Sequence, residues 1–297
     1  MHKSRFLRFP WLRNSLFSVI GVLFLQLLPS NGAGAAGVTL PRPDHVVIVM
    51  EENHGYSQVI GSSSAPYINA LAQQGALFTN SSAISHPSQP NYVALFSGST
   101  QGLTDDSCPH TFSGPNLGGQ LLTAGLSFTG YSESLPSAGF TGCTDPAWNF
   151  WAPPYARKHA PWINFTNIPA SSNQPFSSFP SDYSKLPTVS FVIPNQQNDM
   201  HSGSIQQADS WLQSQMDGYA QWAKTHNSLL IVTWDEDDNN SGNHIATIFS
   251  GANVKVGQYN EAINHYTILR TLEEMYGLAP INNSANVNPI ADVWTQG

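Results

Sequence analysis

Four short apolar runs rich in β-branched residues punctuate the chain, and each stops abruptly in polar residues: Val46 to Met50, Val189 to Ile193, Leu229 to Trp234 and Ile245 to Phe249. Runs that stay apolar at successive positions predict strands buried on both faces, as in a parallel sheet covered by helices; a half-exposed strand would alternate instead. Between them lie stretches with helical spacing, Pro66 to Gln74, Gln206 to His226 and Tyr266 to Tyr276, the last stopped by Gly277. Strand and helix in alternation predict an α/β fold with a doubly wound, mostly parallel sheet flanked by helices. Residues 105–182 break this pattern. They are crowded with Pro, Gly, Ser, Asn and aromatic residues without a period, and an irregular insertion shaping the mouth of a site is expected there.

The N-terminus has a different layout: Lys3, Arg5, Arg8 and Arg13, an apolar run from Leu16 to Leu28, then small residues from Asn31 to Ala36. This predicts a cleavable signal peptide over residues 1–36 and one domain over 37–297, secreted or periplasmic. The apolar run is shorter than the roughly 20 residues of a stable membrane span. The whole chain carries a formal net charge of −8, and the signal segment holds four of its eleven Lys and Arg but no Asp or Glu, so the remainder is more acidic still. Such a body is a poor partner for nucleic acid or anionic membranes. Cys108 and Cys143 are the only cysteines. In an oxidising compartment a disulfide between them is expected, pinning the insertion, and without a C-x-x-C spacing a thiolate zinc site is not.

Ligands of open α/β sheets sit beyond the carboxyl ends of the strands, so the residues after each apolar run carry the functional signal. Glu51, Glu52 and Asn53 follow the first run; Asn195, Asn198, Asp199 and His201 follow the second; Asp235, Glu236, Asp237 and Asp238 follow the third, and His244 directly precedes the fourth. Carboxylates gathered at one edge repel each other unless a positive charge sits among them, and a divalent cation held by oxygen ligands and imidazoles is the simplest remedy. Glu52, Asp199 and Asp235 are the favoured ligands on strand position, with Asp237 and Asp238 read as a solvated loop. The segment Ser85-His86-Pro87-Ser88-Gln89-Pro90-Asn91-Tyr92 opens an apolar helical run. Pro90 suits a first turn, which places the Ser88 hydroxyl at the positive end of a helix, where a phosphate binds well. Taken alone, Ser88 is better read as an N-cap, the commonest role of a serine before a helix.

Six ordered motifs then carry a resemblance: V-I-V-M-E-E-N-H from Val47, H-P-S-Q-P-N-Y from His86, Y-A-R-K-H from Tyr155, N-Q-Q-N-D-M-H-S-G from Asn195, V-T-W-D-E from Val232 and H-Y-T-I-L-R-T-L-E from His265. Between about Asp44 and Leu278 the chain resembles the bacterial phosphoesterase family of acid phosphatases and phospholipases C, within the alkaline phosphatase superfamily. The resemblance implies an alkaline-phosphatase-like fold and one or two divalent ions (Zn, Mn, Mg or Ca). Glu52, Asn53, Asp235 and Glu236 would hold one ion, with Ser88 bridging it to phosphorus, and Asp199, His201 and His244 would hold a second. By similarity to the T-x-P-N segment of nucleotide phosphodiesterases, Asn91 would bind a phosphoryl oxygen. A sulfatase would carry Arg two positions after the proline, in a C/S-x-P-x-R pattern, whereas here Asn91 follows Pro90 directly.

The expected activity is hydrolysis of a small phosphate ester or phospholipid head group through a phosphoserine intermediate. His86 is a candidate acid or loop-orienting residue, and His159, with Arg157 and Lys158, a candidate for binding substrate phosphate; a surface basic patch is the alternative. His265 is read as a supporting residue. Two rivals stand beside this. A metal-free serine esterase would use Ser88, but the G-x-S-x-G elbow is missing. A secreted carbohydrate- or cell-wall-binding protein would use the many Trp and Tyr residues, and it leaves the strand-end carboxylates unexplained.

Overall fold

A computed structural model of the chain describes residues 40–147 and 153–295; the signal peptide expected over 1–36 lies outside the described residues. The elements in order are β1 (His45–Glu51), α1 (Tyr56–Val59), α2 (Pro66–Gln74), β2 (Ala76–Ser82), α3 (Ser88–Ser97), α4 (Leu117–Thr123), β3 (Phe128–Ser132), β4 (Asn173–Pro175), β5 (Val189–Ile193), α5 (Ile205–Ala223), β6 (Ser228–Trp234), β7 (His244–Gly251), β8 (Gly257–Tyr259), β9 (Ile263–Asn264) and α6 (His265–Tyr276). The strands form one sheet in the order β4-β3-β5-β1-β6-β7-β2-β8, with β9 paired to β2. β7 alone runs against the others, because a short connection folds it back on β6 as a hairpin. The mostly parallel α/β sheet read from the apolar runs is therefore the observed one, and all four runs are strands of it.

Period-two alternation assigns the two faces of the sheet. On β1, Val46, Ile48 and Met50 join the core beneath α3, α4 and α6, while Val47 and Val49 join the core beneath α2 and α5. On β6, Leu229 and Ile231 go to the first core and Leu230, Val232 and Trp234 to the second. Carrying the count past the strand ends puts Glu52 and Asp235 on the α3 side, beside Ser88. α3 is buried on every side, as expected of a helix that is packed against the sheet and roofed by other elements.

Residues 105–182 differ from the expected irregular insertion. They contribute α4 and two strands, with β3 pairing in parallel along β5 from Phe128↔Val189 to Ser132↔Ile193. The β3 sequence F-T-G-Y-S mixes polar residues with glycine, so it shows neither an apolar run nor clean alternation. The segment's other described residues form turns and short 3₁₀ helices, tied by the Cys108–Cys143 disulfide, whose Cα atoms are 5.9 Å apart. Arg157 staples it from within: its guanidinium donates to the Thr141 and His110 carbonyls and to Asn164 Oδ1. Aromatic residues mostly serve the core. Among the described residues, Trp162 and Trp234 are among the largest fully buried side chains and Trp211 is also buried, so these rings serve the core rather than a carbohydrate-binding surface.

Gly130 marks one of the tightest contacts. A Cβ there would sit 2.1 Å from the Trp162 ring, and that ring is fixed by its Nε1 donating to Asn173 Oδ1 at 2.9 Å. Gly130→Ala is expected to lower stability by about 1–3 kcal/mol through overpacking. The shift in urea midpoint reads it, and an unchanged midpoint would show that the β3 edge yields.

Candidate active site

The site lies at the carboxyl edge of the sheet, where β1, β5 and β6 end and α3 begins. Ser88 is the first residue of α3, and its N-cap neighbour Pro87 contributes no side-chain acceptor. Ser88 Oγ does not cap the helix. It is buried and lies 3.1 Å from Glu52 Oε2, 3.2 Å from Glu236 Oε1 and 3.4 Å from Asn53 Oδ1. Asn53 adopts φ 39°, a left-handed conformation that Asn tolerates better than most residues. Its backbone N–H then donates to Asp235 Oδ1 at 3.1 Å. The β1 and β6 termini are thereby locked together, and Asp235 N–H also donates to the Glu51 carbonyl. Glu52, Asn53, Ser88, Asp235 and Glu236 are thus brought to one place.

A second cluster shares Glu52. Ligand atoms of Glu52, His159 and Asp199 all lie within 4.8 Å of one another. His159 Nε2 is 3.1 Å from Glu52 Oε1 and its Nδ1 3.6 Å from Asp199 Oδ2. Tyr92, one helical turn beyond Ser88, stacks on the His159 ring and donates its hydroxyl to Glu52. Burial, with Lys158 and His201 nearby, holds the His159 imidazole well below its ordinary value, which favours the neutral ring. A neutral imidazole has a single N–H and cannot satisfy carboxylates on both sides.

The carboxyls are strained electrostatically. Burial and then Asp235 push Glu52 well up; burial and then Glu52 do the same to Asp199; burial and then Glu236 do so to Asp235. Glu236 is raised to about 8, by burial first and Glu52 next. Asp199 Oδ2 and Asp235 Oδ2 are buried and accept no hydrogen bond among the described residues. Orphaned anionic oxygens and a neutral imidazole around a small space are what a divalent cation requires, so the donor set fits one.

Several expected residues stand elsewhere or act differently. Asn91 is buried with its amide consumed by the backbone: Oδ1 accepts from Ile84 and Ser85 N–H, and Nδ2 donates to the Ser85 and Pro87 carbonyls. It shapes the loop before Ser88 and has no valence left for a phosphoryl oxygen. His86 faces carboxylates on both sides, Nδ1 at 2.8 Å from Glu236 and Nε2 at 3.1 Å from Asp237. The ring thus spans Glu236 and Asp237, one nitrogen against each, rather than facing substrate. His159 belongs to the carboxylate cluster rather than to a substrate patch, and Arg157 is structural. His201 supports Asp199 by a backbone N–H of 2.8 Å, its ring tilted beside His159. His244 reaches the correct edge of the sheet but stacks on Tyr56 and points Nε2 at the Thr79 carbonyl, away from Asp199. Asp237 is fully buried, not solvated. It accepts from the Asn239, Ser241 and Asn243 backbone and shapes the 237–243 loop. His265 is buried with Nε2 against the Trp234 carbonyl, one residue before Asp235. No histidine hydrogen-bonds Ser88 Oγ among the described residues, which leaves a serine-esterase triad without its base.

Solved structures share the fold of this sheet and its flanking helices. A protein of the alkaline phosphatase superfamily from Vibrio parahaemolyticus superposes with a TM-score of 0.58 at 15% identity, covering 86% of this chain and 72% of its own. The phosphonate monoester hydrolase of Agrobacterium radiobacter gives 0.51 at 13% identity, covering 80% and 74%; at such identities the likeness concerns the fold. The model of the phosphoesterase family matches residues 62–279, and the chain belongs to that family and hydrolyses phosphate ester bonds. A phosphatidylinositol-3-phosphatase of Mycobacterium tuberculosis is 52% identical over 285 residues, 93% of each chain. A probable acid phosphatase of Kluyveromyces lactis is 32% identical over 78% of this chain, which spans 58% of that protein's length.

Among the described residues no helix is long and apolar enough to cross a membrane.

The raised carboxyls set a pH dependence. Their folded values lie above their unfolded ones, so between the two the folded chain binds more protons and loses stability as pH rises. His159 and His265, the latter lowered to about 4 by burial, act in the opposite sense. Their contribution is complete above the ordinary imidazole value of about 6.5. Metal-free protein is therefore expected to melt at a falling temperature between about pH 6.5 and 8.5, with added Mn²⁺ or Zn²⁺ restoring more at the upper end. Calorimetry with and without chelator measures this, and a flat profile insensitive to metal would contradict it.

Proposed function

We propose that the chain is an exported, metal-dependent phosphomonoesterase that transfers the phosphoryl group to Ser88 and then to water. The observation that carries this reading is the Ser88 hydroxyl: it starts a buried helix, caps nothing, and faces Glu52, Asn53 and Glu236 alone. Glu52, Asn53, Asp235 and Glu236 would hold one divalent ion and Glu52, His159 and Asp199 a second, Glu52 offering one oxygen to each. Bound there, the ions would neutralise charge on the phosphoryl oxygens and acidify the hydroxyl and water.

The protein's own part is positioning. Helix α3 presents the Ser88 hydroxyl with its positive end toward the incoming phosphate. Glu52, 3.1 Å from the hydroxyl, orients it, and Glu236 Oε1, at 3.2 Å, is placed to take its proton as Oγ attacks phosphorus. His86 fixes Glu236 and Tyr92 fixes Glu52, so neither carboxylate turns away. The bond from phosphorus to the alcohol oxygen breaks as that oxygen takes the proton back from Glu236, and water then attacks the phosphoserine. The relative named phosphatidylinositol-3-phosphatase supports a phosphorylated inositol head group as one substrate. Export is supported by the N-terminal layout and by the disulfide.

Ser88→Ala is expected to lower turnover of an aryl phosphate at least about 10³-fold while bound metal, measured by plasma emission, stays unchanged. Retained turnover in that variant would remove Ser88 from the mechanism.

A further inference from the structure

Asp106 lies in the exposed loop that leads from α3 to the Cys108 bridge, and its carboxylate is held by two donors that flank the nucleophile. Oδ1 accepts the N–H of Gln89, the residue after Ser88, at 2.9 Å. Oδ2 lies 2.8 Å from Nζ of Lys158, which shares a single helical turn with His159. A first-turn amide and an ammonium converging beside a nucleophilic hydroxyl form the donor pair that a phosphoryl oxygen takes. In this structure a side chain of the protein already takes it.

Two features make that contact displaceable. The Asp106 side chain keeps 31% of its surface exposed. Its loop is also shaped independently, since the neighbouring Asp105 accepts the Ser107 N–H at 3.0 Å and the turn does not depend on Asp106. An acceptor for Gln89 is needed whenever substrate is away, because Pro87 offers no side-chain cap.

We propose that Asp106 is an internal stand-in for the phosphoryl group: it occupies the Lys158 and Gln89 donors in the resting enzyme, yields them to an incoming phosphate, and by returning helps inorganic phosphate leave. The proposal rests on the phosphoesterase reading of Ser88. An internal competitor lowers the apparent affinity of every anion that must displace it, in proportion to the fraction of time it is away. Weak retention of product is the benefit to turnover.

The test is binding of inorganic phosphate to metal-loaded protein, measured by calorimetry, in wild type and Asp106→Asn. Asparagine keeps an oxygen for the Gln89 N–H but carries no charge, so the helix start stays capped. Phosphate affinity is expected to rise by about tenfold, with product inhibition deepening in parallel. If that variant folds poorly, Asp106→Ser, whose hydroxyl is also an uncharged acceptor, should give the same tightening. Unchanged or weakened phosphate binding would overturn the proposal, leaving Asp106 as a helix cap or as a residue that positions Lys158; so would failure of phosphate to bind either protein. Because binding is read without turnover, tightening in a protein that cleaves no ester would retire the phosphoesterase reading alone. An active enzyme with unaltered phosphate affinity would retire only the role of Asp106.

Discussion

Mutual repulsion among buried carboxylates is the constraint on which the carboxyl edge of this sheet depends. Glu52, Asp199, Asp235 and Glu236 come from the ends of three strands and are raised above the ordinary carboxyl range chiefly by loss of water. Burying carboxylates without partners costs more than most single packing contacts return. The chain nevertheless commits several devices to holding them together. The left-handed turn at Asn53 sends its N–H to Asp235, His86 spans Glu236 and Asp237, and Tyr92 bonds Glu52 while covering His159. Such investment makes sense where the repulsion is relieved by a cation and used to bind a phosphoryl group.

Parity along the strands explains how distant carboxylates meet. Glu52 continues the even-numbered face of β1 and Asp235 the odd-numbered face of β6, and the register Glu51↔Trp234 sets both beside α3. The apolar runs therefore made this part legible before any coordinates: strands buried on both faces, a parallel sheet, acidic ends. Ser88 was legible for a different reason, since Pro90 marks a first helical turn. The edge of the sheet was harder to read. β3 contains a glycine and alternates poorly because Trp162 packs flat over Gly130, so the residue that would signal a strand is replaced by a neighbour's ring.

Individual histidines and amides escaped the sequence for want of direction rather than position. His244 sits at the correct edge but belongs to the one reversed strand, and stacking on Tyr56 turns its ring from the cluster. Asn91 lies one turn inside α3, and the loop before Ser88 has more unpaired backbone groups than that short segment can satisfy alone, so the amide is drawn inward. Tyr92 could have been found. Its spacing of four from Ser88 on a helix places both side chains on one face. Asp237 looked solvated because it sits in a run of acidic and Asn residues, yet three backbone N–H groups converge on it.

The account stands on cations lying among these carboxylates within reach of the Ser88 hydroxyl. Crystals grown in Mn²⁺ and measured at its absorption edge would test that most directly. The account predicts an anomalous peak about 2.0–2.3 Å from oxygens of Glu52 and Asp235 and adjacent to Ser88 Oγ. A saturated protein with no peak at that edge, or with its manganese bound elsewhere on the surface, would contradict it.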